Sequence, residues 1–285
     1  MNTRNFMTLL SIFIVTILLS CNNAFENEDE TVTLIKTKWE IADFNSGFTS
    51  FEFTEDGNFI VVENIISANL NTHKSTLFQQ HLNLNAQKDT RASSSIFSSI
   101  HFGIYQIEEN TINLFGFGSI KISSITADNF SFSFTLESTG ENRTITASKT
   151  KELITQSDRT NMFCRTWTIN KVIINENLLP EADKSWYEYE YGQNWKEEAE
   201  KELLGTVVVF TKAGTYLISY TDKEPKTVLS WWKWANKEET AIYYSEDNWQ
   251  DNWQGNITLI NELTNTTCTM QEKESISYEL ELFKK

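Results

Sequence analysis

Three histidines, His73, His81 and His101, are the side chains of this 285-residue chain best suited to moving a proton near neutral pH. All lie in its first half, and a zinc site built from them needs convergence with a fourth ligand in a tetrahedron, so they read as loop and surface residues. The carboxylates Glu55 and Asp56 sit together at the apex of a tight turn. Such an apex reads as solvated, without the burial that would fit a carboxyl to act as a general acid at neutral pH. Glu246, Asp247, Asn248, Asp251 and Asn252 offer the oxygen ligands that calcium takes, but without the spacing of an EF-hand loop. No Gly-rich phosphate loop, Gly-x-Ser-x-Gly elbow or HExxH pair is present. The expectation is a protein with no catalytic residue, no metal and no cofactor.

Aromatic side chains carry the remaining chemistry. Eight of the nine tryptophans lie in the second half. Exposed Trp and Tyr faces stack on sugar rings or anchor a protein partner, whereas inward-facing ones fill a core. Alternation along Ser230-Trp-Trp-Lys-Trp sends Trp232 and Trp234 to one face and Trp231 to the other. Trp232 and Trp234 are expected in the core, and Trp186, Trp231, Trp249 and Trp253 as the set that meets a ligand or partner.

The elements that must position these residues emerge from an internal repeat. FEFTEDGNFIV at 51–61 aligns without gaps on VVFTKAGTYLI at 208–218, an offset of 157. Each copy reads as strand, turn, strand, with Gly57 or Gly214 supplying the positive φ of the turn. Trp39 and Trp167 stand upstream in short alternating strands, Thr37–Ile41 and Arg165–Ile169. Downstream, a strand pair starting at Ser119 is aligned with one starting at Asn256. Phe130, Phe132, Phe134 and Leu136 alternate with Ser131, Ser133 and Thr135, the period of a strand with one buried face. Short strands with frequent turns predict an all-β fold: two tandem small antiparallel β-barrels, 32–158 and 159–285, joined near Ser157–Asn161. Asn194–Leu204, with Trp195, Ala199 and Leu203 four apart, predicts a short helical insertion in the second. Ser67–Ser99 reads as a polar insertion in the first.

At the amino terminus Arg4 precedes Phe6–Leu19, fourteen mostly apolar residues. The run is too short for the ~20 of a membrane-spanning helix and suits a secretory signal, 1–20. Leu18-Leu19-Ser20-Cys21 resembles the lipobox of bacterial lipoproteins, which implies cleavage before Cys21 and acylation of its thiol and amine, enough chains for durable anchoring. The acidic stretch 21–31 reads as a solvated tether, and Glu26, Glu28, Asp29 and Glu30 within it loosely resemble the surface-export signal of Bacteroidota lipoproteins. An envelope location, on the outer membrane and facing either side of it, is what these resemblances imply. An exported chain meets a disulfide-permissive compartment, so Cys164 and Cys268 read either as a bridge or as two buried free thiols.

The order of Trp strand, FxF-T-x-x-G-x-[FY] hairpin, further meander and final strand pair, repeated behind a lipobox, resembles the lipocalin-like domains of Bacteroidota lipoproteins. That resemblance implies barrels that close around Trp39 and Trp167 and hold an apolar ligand. Thr37 and Arg165 stand where true lipocalins carry glycine.

With 24 basic and 39 acidic residues the net charge is −15, which disfavours a nucleic-acid partner. The function expected is non-enzymatic: a lipid-anchored envelope protein binding a small apolar ligand in a barrel. The alternatives are a structural or interaction module of an envelope complex, and glycan binding through exposed aromatics. Interior space of ~300 Å3 or more is what the first reading requires.

Overall fold

The computed structural model describes residues 33–65, 97–220, 226–245, 256–272 and 275–283. Cys21, His73, His81, Trp249, Trp253 and the acidic cluster 246–252 lie outside the described residues. So does the signal-like run 6–19; among the described residues no helix is long and apolar enough to cross a membrane.

The chain forms two closed antiparallel barrels of eight strands each. The first comprises β1 (Lys38–Glu40), β2 (Phe48–Phe53), β3 (Asn58–Ile65), β4 (Phe97–Glu108), β5 (Thr111–Leu114), β6 (Gly118–Ile125), β7 (Asn129–Leu136) and β8 (Asn142–Lys149). The second comprises β9 (Thr166–Ile174), β10 (Val207–Phe210), β11 (Thr215–Tyr220), β12 (Lys226–Trp234), β13 (Ala241–Ser245), β14 (Asn256–Leu263), β15 (Thr267–Glu272) and β16 (Ile276–Leu282). In each barrel successive strands pair with their neighbours, and the last closes on the first, Trp39 opposite Lys149 and Trp167 opposite Leu282. Closure satisfies every sheet edge, which is how a run of short amphipathic strands avoids exposing unpaired backbone.

The repeat is reproduced in the hydrogen bonds. Trp39 Nε1 donates to the Ile35 carbonyl at 3.2 Å, and Trp167 Nε1 to that of Phe163 at 3.0 Å. Gly57 and Gly214 turn their hairpins at φ 80° and 81°, with N–H groups returning to Thr54 and Thr211. A Cβ in that left-handed region is strained, which is why glycine stands there. Tyr105 in β4 and Trp232 in β12 then occupy one station, each donating at 3.0 Å to the carbonyl of the hairpin threonine, Thr54 or Thr211. The downstream strand pair differs from the sequence alignment by one residue. Its bulges fall at Ile122/Ser124 and Ile260/Glu262, so the offset is 138 and Ser119 matches Ile257, not Asn256. A one-residue slip exchanges the two faces of a strand, so the corrected register alone says which side chains share the interior.

Helices outnumber expectation. α1 (Asp158–Phe163) starts at the expected join, its N-terminus capped by Ser157 Oγ accepting from Thr160 N. Between β9 and β10 run α2 (Glu181–Tyr191) and α3 (Trp195–Leu203). α3 matches the anticipated helix; α2 has an aromatic-rich sequence of weak periodicity and is held by burial of Tyr187 against Trp195, ring centroids 5.1 Å apart. The insertion read as ending at Ser99 ends earlier, because β4 begins at Phe97 and its Ile100 and Phe102 find apolar partners.

Those partners belong to the other barrel. Ile60, Ile100 and Phe102 pack on Val207, Val209, Leu217 and Leu229, an apolar seam in which Ile60 and Leu217 are repeat equivalents. Around it Glu52 accepts from Thr215 Oγ1 at 2.7 Å, Asn58 Nδ2 donates to Thr166 Oγ1 at 2.8 Å, and Asp56 Oδ2 accepts from the Thr166 N–H at 2.7 Å. The two carboxylates of the turn apex therefore serve structure: Asp56 ties one barrel to the other, and Glu55 faces Lys36 and Lys212 at 3.5 and 4.0 Å.

Candidate functional site

The two interiors are built on one frame and filled differently. In the first barrel Phe51, Phe59, Phe130, Phe132 and Phe134 are buried with Trp39 and interlock, for example Phe130 on Phe132 at 4.5 Å and Phe51 on Phe134 at 5.5 Å. The strand registers put Val208, Tyr216, Cys268, Met270 and Glu272 at those five stations in the second barrel. Four rings are thus replaced by smaller or polar side chains. The space they vacate is a cleft inside the second barrel, about 350 Å3 counted out to its mouth. Little more than a water's worth of it is free to a water-sized body while the side chains hold these positions. The open interior of ~300 Å3 that an apolar ligand requires is therefore not free while the side chains hold these positions, and the second barrel offers a short, mostly filled recess that Met270 lines.

One end of this barrel is sealed. Phe163 of α1 lies 4.3 Å from Phe210 and 5.1 Å from both Trp232 and Trp234, and Trp234 Nε1 donates to Thr160 Oγ1 at 2.9 Å. The recess lies toward the other end, where Glu272 pairs with Ile276 on the last rung of β15 and β16. α3 braces that end, Glu200 accepting from the N–H of Ile174, which pairs with Ile276.

The polar end of the recess is a buried carboxylate among tyrosines. Glu272 is 2 % exposed and accepts from Tyr244 Oη at 2.6 Å and from Tyr278 Oη at 3.3 Å. Tyr216, also buried, stands beside them, its ring 6.1 Å from that of Tyr244. Burial, and then neighbouring acidic groups including Glu272, holds the phenols of Tyr216, Tyr244 and Tyr278 well above their ordinary pKa. They are protonated donors and acceptors across the physiological range. Ile169, Val208, Ile242 and Leu280 form the apolar wall. Neither Glu272 nor its tyrosines were singled out in the sequence, and the one signal was a carboxylate at an inward position of a late strand.

The residues expected to act are dispersed. Trp39, Trp167 and Trp232 are wholly buried core, and Trp234 is partly so. Trp231 faces away from the interior, half-buried at the seam, with Lys38 Nζ 4.2 Å from its ring centroid. It belongs to the contact between the barrels, because alternation along β12 sends it outward where barrel one packs. Trp186 lies in α2, its side chain outside the described atoms. Cys164 and Cys268 are not bridged: both are free and buried. Cys164 caps α1 and faces the cleft between the barrels, whereas Cys268 points into the second interior between Leu263 and Leu280. Burial pushes both thiols up, that of Cys268 to about 12, so they are inert as nucleophiles.

Elsewhere the chemistry is structural. The cleft between the barrels, about 380 Å3 to its mouth, holds Lys36, Lys212 and Glu55, whose charges pair with one another. His101 Nε2 lies 2.9 Å from Glu63 Oε2, and its ring stacks on Phe117 at 4.1 Å. Among the described residues no group of three or more His, Cys, Asp or Glu is placed to hold a metal ion. No protein-family model matches this chain, and no curated protein matches it in sequence.

Proposed function

We propose that this chain is a non-enzymatic binding protein of the cell envelope, tethered to the outer membrane through a lipidated Cys21, whose second barrel takes a small ligand with an apolar body and a polar end. The observation that carries this reading is the contrast between two barrels of one design. Where the first is filled by phenylalanine, the second has exchanged the same stations for a recess with apolar walls and a buried carboxylate. Small-molecule sites have this make-up, mostly apolar with a few convergent polar groups. The first barrel and the seam then act as a rigid mount.

The test is native mass spectrometry of the full chain extracted from its own envelope in mild detergent, run beside the denatured mass. The covalent lipid appears in both. An extra mass that vanishes on denaturation, and is missing from a Glu272→Phe variant carrying the side chain of the first barrel's Phe134 at that station, is the expected result. A bare native mass, or an adduct that survives in the variant, would overturn the reading in favour of an interaction module.

A further inference from the structure

We propose that the cleft between the two barrels binds a phosphate group, free or carried on a lipid headgroup, through Lys38, Lys36 and Lys212. The inference is independent of the recess in the second barrel.

The cleft opens where repeat-equivalent hairpins face each other, Thr54 and Glu55 on one wall and Thr211 and Lys212 on the other. Lys38 of β1 also lines it and is 5 % exposed. A lysine is seldom buried to that degree without a partner, because its ammonium gives up its water. Among the described residues Lys38 makes no ion pair and no side-chain hydrogen bond, and its Nζ rests 4.2 Å from the Trp231 ring centroid. Its cross-strand neighbour Glu52 turns Oε2 to Thr215 Oγ1 of the other barrel, at 2.7 Å. The ring face offsets part of the cost of burial but gives the three N–H donors no acceptor.

The second support is the mouth of the cleft. Lys36 and Lys212 come from different barrels and meet at one carboxylate, Glu55, at 3.5 and 4.0 Å. Both contacts are longer than the ~2.7–2.9 Å of a charge-assisted N–H···O bond. Glu55 is 57 % exposed, so its pairing is weak and it turns out to solvent at little cost. Three ammonium groups then face one carboxylate, Glu52, and two positive charges are left over, the complement of a phosphate dianion. A tetrahedral oxyanion in the place of Glu55 accepts from both lysines of the mouth and supplies the counter-charge that Lys38 lacks. The size agrees: the free space is twice that of the recess, room for about three waters, which takes the phosphate and leaves its carrier outside.

Inorganic phosphate titrated calorimetrically into the full chain, at constant ionic strength in chloride, is the first test. Lys38→Met keeps the apolar stem and is expected to bind at least about tenfold more weakly, as is Lys212→Met. Glu55→Gln removes the competing charge and is expected to bind more tightly. Lys171→Met, exposed on β9 and paired with Glu279, and Glu272→Phe in the recess are expected to leave phosphate binding unchanged. Circular dichroism melts identify a variant that fails to fold; Lys212, at 23 % exposure, then carries the test in place of Lys38. Flotation of the Cys21→Ser chain with phosphatidylcholine vesicles, with and without phosphatidic acid, separates the sources. Binding that needs phosphatidic acid and is lost in Lys212→Met assigns a headgroup, and response to inorganic phosphate alone assigns a free ligand. No heat from phosphate and no flotation, equal loss in Lys171→Met, unchanged binding in both cleft variants, or weaker binding in Glu55→Gln would overturn the cleft site. Loss in Glu272→Phe would place the anion in the second barrel and overturn it as well.

Discussion

Removing the carboxylate of Asp56 tests whether the two barrels are held as one body. Its Oδ2 accepts the N–H of Thr166, the first residue of β9, at 2.7 Å, and its Oδ1 accepts from Asn58 Nδ2 at 3.2 Å and from Thr54 within its own hairpin. Thr166 is 0 % exposed, so Asp56→Ala leaves a buried donor without its acceptor. Hydrogen bonds to a charged group contribute about 1.5–3 kcal/mol, and the cost of an orphaned buried donor falls in the same range. The expected loss is about 2–3 kcal/mol, which for a two-barrel cooperative unit of this size lowers the calorimetric midpoint by roughly 4–6 °C. Asp56→Asn retains an acceptor and is expected to lose about 1 kcal/mol. Glu55→Ala, at the same apex but 57 % exposed and paired only at 3.5 and 4.0 Å, is expected to change stability by at most a few tenths of a kcal/mol. Differential scanning calorimetry of the three variants decides the matter. If Asp56→Ala melts within a degree of the parent, or Glu55→Ala costs as much, the hairpin tip does not bind the seam and the reasoning fails.

Alkaline pH is expected to destabilise the second barrel. Tyr216, Tyr244 and Tyr278 are held protonated above their ordinary value of 10.0, so the folded state binds more protons than the unfolded one above about pH 10. Their contribution is complete below that pH and is lost as pH rises; tyrosinate absorbance at 295 nm should show one steep step coincident with loss of near-ultraviolet dichroism, and gradual titration without unfolding would count against it. Cys164 and Cys268 are expected to ignore Ellman's reagent at pH 8 in the folded chain and both to react in urea, whereas no reaction in urea would reveal a bridge. Cys21→Ser is expected to move the protein from the membrane fraction to the soluble one, and its retention at the membrane would refute the lipid tether.

Much of the architecture was legible in the residues because duplication and period-two alternation are local signals. The match of Gly57 with Gly214 and of Trp39 with Trp167 placed two hairpins and two barrel closures, and the Phe130, Phe132, Phe134 alternation showed which face is buried. α2 escaped because its helix is stabilised by burial of Tyr187 rather than by its own periodicity. The strand pair of β14 and β15 was aligned one residue out, since polar turns of equal length leave the register to the bulge at Ile260/Glu262. That single step hides the recess, for it decides that Glu272 stands where the first barrel has Phe134. Asp56 and Trp231 were assigned by local pattern to a solvated apex and a ligand face, while both meet the other barrel. Sequence alone determined the repeat, the strands and the two matching tryptophans, because alternation and turn chemistry are local signals and the second copy repeats them in the same order. The recess, the buried carboxylate and the seam were decided only by tertiary structure, because each arises where strands distant in the chain bring their side chains into one shared volume.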